Sequence, residues 1–505
     1  MIRKRKFPIV LFFFLVISGS FSFAQNNRGK IRRDILAADI AFDNNDFSKA
    51  FDLYHQAYVL DTNYYRLSFK LGVCMYSIRK YKQQSLPYFR QALKAGITES
   101  GYYLGNLYHL NENFDEAKHA FQEYKTSKGN HKFSDNEIDF LIRKCKTAEE
   151  LIHTPVNVSI ENIGSTINSE FPDYVPIISA DESVLIFTSR RKGSTGNLLD
   201  PYGDYFEDIY ISNKTGAEWS LPRNISKNIN TPTHDASVGL SADGELLVYR
   251  TSKELLSGDL YASSFDGMEW TVPEKLPAPI NTKDCTSPSA TLSADGQTIY
   301  FSSNRPGGFG KKDIYRAVKL PNGKWSKALN LGPTINTEED EDAPFIHPDG
   351  KTLYFSSRSH KNMGGYDIFK TSINEEGVWT EPENMGYPVN TPDDDIYFAL
   401  SVNGQTGYYS SDRPGGFGGS DIYLIHFPEN DLGLTVFKGI VMSADSDGKP
   451  ISATISLFDS KTNNQEGIYN TNPLTGKFIF ILKWDEDYQM PASAGLRLSI
   501  KTRSR

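Results

Sequence analysis

The feature that most constrains this chain is a block that returns at a fixed interval. "SSNRPGGFGKKDIY" ends at Tyr315, "SSRSHKNMGGYDIF" at Phe369 and "SSDRPGGFGGSDIY" at Tyr423, each 54 residues after the last, and shorter copies end at Tyr210 ("EDIY") and Tyr261 ("GDLY"). Other columns keep the beat. An "IN(T/S)" element supplies Asn168, Asn230, Asn281, Asn336 and Asn390. Turn pairs stand at Asp181-Glu182, Asp243-Gly244, Asp295-Gly296, Asp349-Gly350 and Asn403-Gly404, and Trp219, Trp270, Trp325 and Trp379 mark a further element. The Gly-bearing pairs suit two-residue hairpins that need positive φ. Each unit therefore reads as strand, turn, strand, Gly-rich loop, "DIY" strand and Trp-bearing strand, and four short strands recurring about every fifty residues specify a β-propeller blade.

An asymmetry sets the number of blades. The last unit stops at "DIYLIHF" without a Trp-bearing strand, whereas an orphan run, Val156 to Gly164, precedes the first "INS". The orphan is expected to complete the last blade. That makes five blades, with six as the alternative if the orphan belongs elsewhere. Closure removes the free sheet edges on which other chains could pair.

Four glycines in "RPGGFGG" invite a phosphate-binding reading, but such a loop works by leading into a helix N-terminus, and here a strand follows. The glycines are read instead as permitting a compact turn. Arg305 and Arg413 would pack over aromatic neighbours, and Asp313, Asp367 and Asp421 would bond turn amides.

Ahead of this region, apolar residues recur at helical spacing from Ile31 to His153. "DFSKAFDLYHQA", "KYKQQSLPYFRQA" and "NFDEAKHAFQEY" align, placing Ala50, Ser85 and Ala117 in one column and Tyr54, Phe89 and Phe121 in another. Gly72 and Gly105 stand where two helices would cross. A last helix from about Asp135 to Ile152, with Lys144, Lys146, Glu149 and Glu150 exposed, has the polar character of a solenoid cap. These columns resemble tetratricopeptide repeats, whose period is about 34 residues.

The first 24 residues carry basic Arg3 to Lys6, an apolar run and a small-x-small site at Ser22 to Ala24, and are read as a signal peptide. The rest is expected to be exported to the periplasm, in association with the outer membrane. Cys74, Cys145 and Cys285 are odd in number and far apart, and are read as buried small hydrophobes, with a Cys74–Cys145 bridge as the alternative. With 54 Lys and Arg against 62 Asp and Glu, the net charge is −8 and no basic tract stands out, which excludes a nucleic-acid groove.

The columns "DG…YFSS.RPGG.G..DIY" resemble WD-like propeller repeats of the TolB kind. The order of signal peptide, tetratricopeptide repeats and propeller resembles the front of OmpA-family envelope proteins of Bacteroidetes-type bacteria. In that family a carboxypeptidase-regulatory-like β-sandwich follows the propeller, and "FKGIVM", "ATISLFD" and "GKFIFIL" resemble its strands. The chain is thus expected to be multidomain: signal peptide 1–24, an all-α tetratricopeptide solenoid over 28–153, an all-β propeller over 155–429 and a partial β-sandwich over 434–505. The resemblance implies a non-catalytic envelope scaffold, associated with the type IX secretion system, that binds envelope proteins through its tetratricopeptide and propeller surfaces. Peptidoglycan would be bound only by an OmpA-like C-terminal domain, of which this sequence contains no part. The alternative is a propeller that binds or processes a glycan or peptide ligand in the periplasm.

For chemistry, two acidic runs fall between "INT" and an inner strand, near one mouth of the channel: "EEDED", with Glu338, Asp340 and Asp342, and "DDD", Asp393, Asp394 and Asp395. They read as a solvated rim, with a calcium or cationic-partner site as the alternative. "DSDG", Asp445 to Gly448, lacks the distal Glu of a calcium loop and reads as a turn. The nine histidines fall on no shared motif, and there is no HExxH, GxSxG or CxxC. No cofactor and no enzymatic activity are expected.

Overall fold

A computed structural model describes residues 29–60, 65–128, 131–241, 245–251, 258–428, 431–443, 449–472, 474–484, 486–491 and 497–501. The signal peptide, the Asp243-Gly244 turn and the "DSDG" segment lie outside the described residues. No helix among the described residues is long and apolar enough to cross a membrane. The chain divides into two compact units, with the boundary between Ile142 and Arg143 and with Leu199–Asp204 belonging to the first.

The first unit is helical. Beyond a helix over residues 29–43, its helices span Phe47–Leu60, Tyr65–Ser77, Leu86–Lys94, Ser100–Leu110 and Phe114–Thr126, and Asp135 opens a further helix that continues to His153 in the second unit. Aromatic side chains fill the crossings. A Cβ on Gly105 would stand 2.5 Å from the ring of Phe121, so that crossing requires a residue without a side chain unless the ring moves, whereas one on Gly72 would stand 3.1 Å from that of Phe89, a tight contact that a small shift of the ring would relieve. Tyr54, Phe89 and Phe121 are buried together with Ala50, Ser85 and Ala117.

The second unit is mostly β and contains the propeller. Five antiparallel arrays, the first of five strands and the others of four, run from their innermost strands, Asp173–Ile178, His234–Leu240, Ala290–Leu292, Glu341–Ile346 and Asp395–Leu400. Each innermost strand touches the next, and the last touches the first, so the strands ring a common axis. Between neighbouring sheets lie apolar clusters such as Ile177, Ile186, Ile209 and Trp270, or Ile346, Phe355, Phe369 and Trp379. The fifth array takes its outer strand from the start of the region: Ser159–Asn162 pairs with Tyr423 to His426.

The recurring columns prove to be the latches between sheets. Each "IN" asparagine reaches back to the preceding sheet and bonds both backbone groups of one strand residue: Asn230 with Ile209, Asn281 with Leu260, Asn336 with Ile314 and Asn390 with Ile368. Asn168 does the same to Ile422, 254 residues away. The "DIY" aspartates accept from loop amides: Asp313 from Phe309, Asp367 from Met363 and Asp421 from Phe417. Arg305 lies 4.7 Å from the Phe301 ring centroid and Arg413 5.0 Å from that of Tyr423.

The tryptophans differ from expectation. Trp219 does lie in a two-residue edge strand, Glu218–Trp219, but the outer strands of other arrays, such as Glu274–Lys275 and Glu383–Asn384, carry no tryptophan. Trp270 and Trp379 sit one hairpin earlier, where single bridges to Phe265 and Ile373 fold them into the cores between sheets. Lys144 also differs: it is buried, and its Nζ donates to the Gly364 carbonyl at 2.7 Å. Burial pulls its ammonium below the usual lysine range. The three cysteines are free, with Cys74 and Cys145 buried and Cys285 half-buried.

After the propeller, Leu434–Ile440 pairs with Lys477–Lys483, while Thr454–Asp459 lies between Gln465–Asn470 and Asp487–Pro491, the latter pairing with Arg497–Lys501. Ile455, Leu457, Phe478, Phe480, Leu482, Tyr488 and Met490 form the core of this C-terminal β-structure.

Candidate functional site

The innermost strands enter the channel through a shared distortion. The ladders slip between Tyr174 and Ile177, Asp342 and Phe345, and Ile396 and Ala399. Val175, Ala343 and Tyr397, which occupy equivalent positions in those strands, adopt φ of 52°, 49° and 61°. Left-handed conformation is costly for residues with a side chain, and bulges re-aim what stands beside them. Here they gather side chains from several sheets at the mouth where the strands begin.

On one side of that mouth is a Glu–His dyad. His234 Nδ1 lies 2.6 Å from Glu207 Oε2, the Tyr174 hydroxyl donates to Glu207 Oε1, and Arg190 Nε stands 3.7 Å from the same oxygen. Phe206 stacks on the imidazole at 4.0 Å. Burial opposes ionisation of Glu207, but Arg190 and the bond from His234 outweigh it and hold the carboxyl at about 2. With an ionised carboxylate accepting at Nδ1, the tautomer that this bond selects in a neutral ring carries its proton there and leaves Nε2 as a lone pair. Nε2 is buried and has no hydrogen-bond partner among the described residues.

The other side is built around Lys312. Its Nζ donates to Asp342, lies 3.0 Å from the Tyr366 hydroxyl and 3.9 Å from Asp340. Burial disfavours the ammonium, but the charge of Asp342 outweighs it and raises the lysine above its ordinary value. Ser289 donates to the second oxygen of Asp342. Arg358 lies 4.1 Å from the Tyr366 ring centroid and bonds Asp394 at 3.1 Å. Tyr397 joins the two sides. Its ring is 6.3 Å from Tyr174, and burial, then the charges of Asp342 and Glu207 among others, push its hydroxyl well above the usual tyrosine range.

The six acidic residues singled out in the sequence do not converge on one cation. Glu338 is exposed, and Asp340 and Asp342 face Lys312, an ammonium where a calcium ion would compete. Asp395 is fully buried and accepts from Thr391, Ser411 and Arg413 as part of the repeated turn. Asp393 and Asp394 do come together, with Asp412, one oxygen of each lying within 4.8 Å of the others. Sequence reading missed Asp412, and it missed Glu207, His234, Tyr174, Lys312, Tyr366 and Arg358. The signal was present: each stands next to a repeating column, where the residue type changes from unit to unit. The position before "DIY" is Glu207, Gly258, Lys312, Tyr366 and Ser420, and the position before the inner-strand acid includes His234, Asp340 and Asp394.

No family model and no curated protein matches the chain. Among solved structures it is similar to an α-L-arabinofuranosidase from Lactobacillus brevis, at 14% identity and a TM-score of 0.34, covering 57% of this chain and 95% of that one. It is similar to a sucrose-6-phosphate hydrolase from Lactobacillus gasseri, at 9% identity and 0.34, over 71% and 92% of the two chains. A glycosyl hydrolase from Bacteroides ovatus gives 10% identity and 0.33, over 52% and 86%. All three bear the names of enzymes. The expectation of a non-catalytic scaffold is corrected by the mouth itself, which holds a constellation that the sequence reading did not find: a carboxylate-oriented imidazole stands among tyrosines and paired cations at the channel entrance.

Proposed function

We propose that the mouth of the propeller channel binds and cleaves a glycan by proton transfer. The observation that carries this reading is the buried lone pair of His234 Nε2, in a ring whose Nδ1 is held by an ionised Glu207. A neutral imidazole so oriented accepts a proton from a bound water as that water's oxygen bonds to the anomeric carbon and the glycosidic C–O bond breaks; the imidazolium, stabilised by Glu207, then gives the proton to the leaving oxygen. Tyr174, Tyr366 and Tyr397 supply hydroxyls and ring faces, while Arg190, Lys312 and Arg358 supply donors for sugar oxygens. Such convergence of aromatic and charged groups at one end of a channel suits a polar ligand with many hydroxyls.

The finer reading of the fold belongs with this proposal. The ring of five arrays, with Ser159–Asn162 as an outer strand, supports five blades, and the glycine–aromatic crossings support tetratricopeptide pairing. The N-terminal sequence supports export to the periplasm, and the order of modules supports a place among OmpA-family envelope proteins.

The test is a panel of oligosaccharides and short peptides incubated with the full chain, with products read by chromatography. Cleavage of a glycan is expected, with His234→Ala lowering the rate by about 10²-fold or more and Glu207→Gln lowering it less at unchanged KM. Cleavage confined to peptides, or glycan cleavage indifferent to His234, would overturn the assignment.

A further inference from the structure

The opposite end of the channel has a different chemistry. Where the innermost strands finish, the columns "ISAD", "LSAD", "LSAD", "IHPD" and "LSVN" place Ile178, Leu240, Leu292, Ile346 and Leu400 at equivalent positions, one from every sheet. All five line a cavity of about 750 Å³. Three of them, Ile178, Leu240 and Leu292, remain half-exposed, although they are aliphatic and stand at the centre of the ring. Its other wall is the two-stranded sheet of the C-terminal β-structure. One face of that sheet, with Phe437, Phe478, Phe480 and Leu482, meets the C-terminal core. By strand alternation Lys477, Ile479 and Ile481 point the other way, and register places Ile440 and Lys438 beside Lys477 and Ile479 on that face. The sheet therefore turns a second apolar surface toward the collar, and the Lys438–Asp181 ion pair spans the two walls.

Apolar walls on both sides leave such a volume poorly suited to water, which needs two to four polar partners, and well suited to an apolar ligand. Two cations border it, Arg223 and Lys477, and neither pairs with a carboxylate among the described residues. Lys438, by contrast, is already neutralised. We infer that this cavity is a binding site for a single-chain amphipath with an anionic head, its alkyl chain against the aliphatic collar and its head group at Arg223 and Lys477. The site is separate from the glycan site proposed at the other mouth and does not depend on it.

The probes are decanoate and decanol, titrated into the full chain by calorimetry. Decanoate is expected to bind saturably with one molecule per chain, and decanol about tenfold more weakly, because it lacks the charge. The double variant Arg223→Ala/Lys477→Ala, at two exposed positions, should bring decanoate down to the affinity of decanol while leaving decanol unchanged. Leu292→Trp, which fills the collar, should abolish both, and Ala294→Phe at the adjoining turn serves the same purpose if that variant does not fold. Absence of saturable decanoate binding would overturn the proposal, as would binding untouched by either the charge-removing or the filling variants.

Discussion

Single residues in this chain divide into those that repeat and those that do not, and the two sets do different work. The repeated asparagines each satisfy a buried N–H and a buried carbonyl in the neighbouring sheet, so truncation leaves two backbone groups unpaired. Asn168→Ala is expected to destabilise the propeller by about 2–4 kcal/mol, measured by chemical denaturation, whereas Glu338→Ala, on an exposed acidic run, should stay within about 0.5 kcal/mol. A negligible effect at Asn168 would mean that the latch to Ile422 is not formed. Repetition made these residues legible, because a column seen five times announces an architectural role. It also hid the candidate site. A ligand sits off-centre in a pseudo-symmetric ring and is held by residues that occur once, so His234 and Glu207 share no motif with any other unit. The acidic runs drew attention by composition, but Asp395 belongs to a turn and Asp342 to an ion pair with Lys312.

Among elements, the innermost strands carry the cost of the site. Alternation and turn chemistry located them, yet nothing in their residue types announced the bulges, since valine, alanine and tyrosine all disfavour positive φ. Beyond the first array, where Trp219 does stand in an edge strand, the outer strands were misplaced for a related reason: tryptophan marks burial, and at Trp270 and Trp379 burial comes from a hairpin rather than from the ladder. The bulges make a prediction of unusual sign. Ala→Gly inside a strand ordinarily destabilises, but at Ala343, held at φ 49°, glycine relieves the strain. Ala343→Gly should therefore be neutral or stabilising by up to about 1 kcal/mol; a loss of that size would show that the left-handed conformation is not adopted. The outer strand Ser159–Asn162 gives a second test. It covers the edge of Tyr423 to His426, and Asn162 Nδ2 donates to Asp421 at 2.8 Å. Its deletion should expose an unpaired edge, lowering the melting temperature and promoting aggregation in light scattering; unchanged melting would separate this strand from the ring.

At the scale of the whole molecule, the ring concentrates carboxyl groups where solvent does not reach, and this gives stability a definite dependence on pH. Burial, only partly offset by hydrogen bonds from Thr337 and Ser357, pushes Glu341 up to about 7. Burial likewise raises Asp395 to about 6 despite Arg413, and Asp208 to about 6 despite Thr195. In the unfolded chain these groups release their protons near pH 4. Between about pH 4 and 7 the folded state therefore holds protons that the unfolded state has lost, and raising the pH across that window removes stability. Glu207 and Asp342 are displaced the other way, so their contribution is present above about pH 4 and is lost only in acid. Lys144 acts only at alkaline pH. The melting temperature should accordingly peak near pH 5 and fall by several degrees toward pH 8, since a tenfold difference in proton affinity between folded and unfolded chain corresponds to about 1.4 kcal/mol and each kcal/mol to about 2–4 °C in a domain of roughly 150–250 residues. Glu341→Gln isolates one contribution. The amide keeps the shape of the side chain but cannot titrate, so any cost from its NH₂ facing the Thr337 and Ser357 donors is the same at every pH. The variant should melt lower than the parent at pH 5 and lose less on going to pH 8. A slope identical to that of the parent would show that Glu341 titrates at an ordinary value and that the channel wall is wetter than its packing indicates.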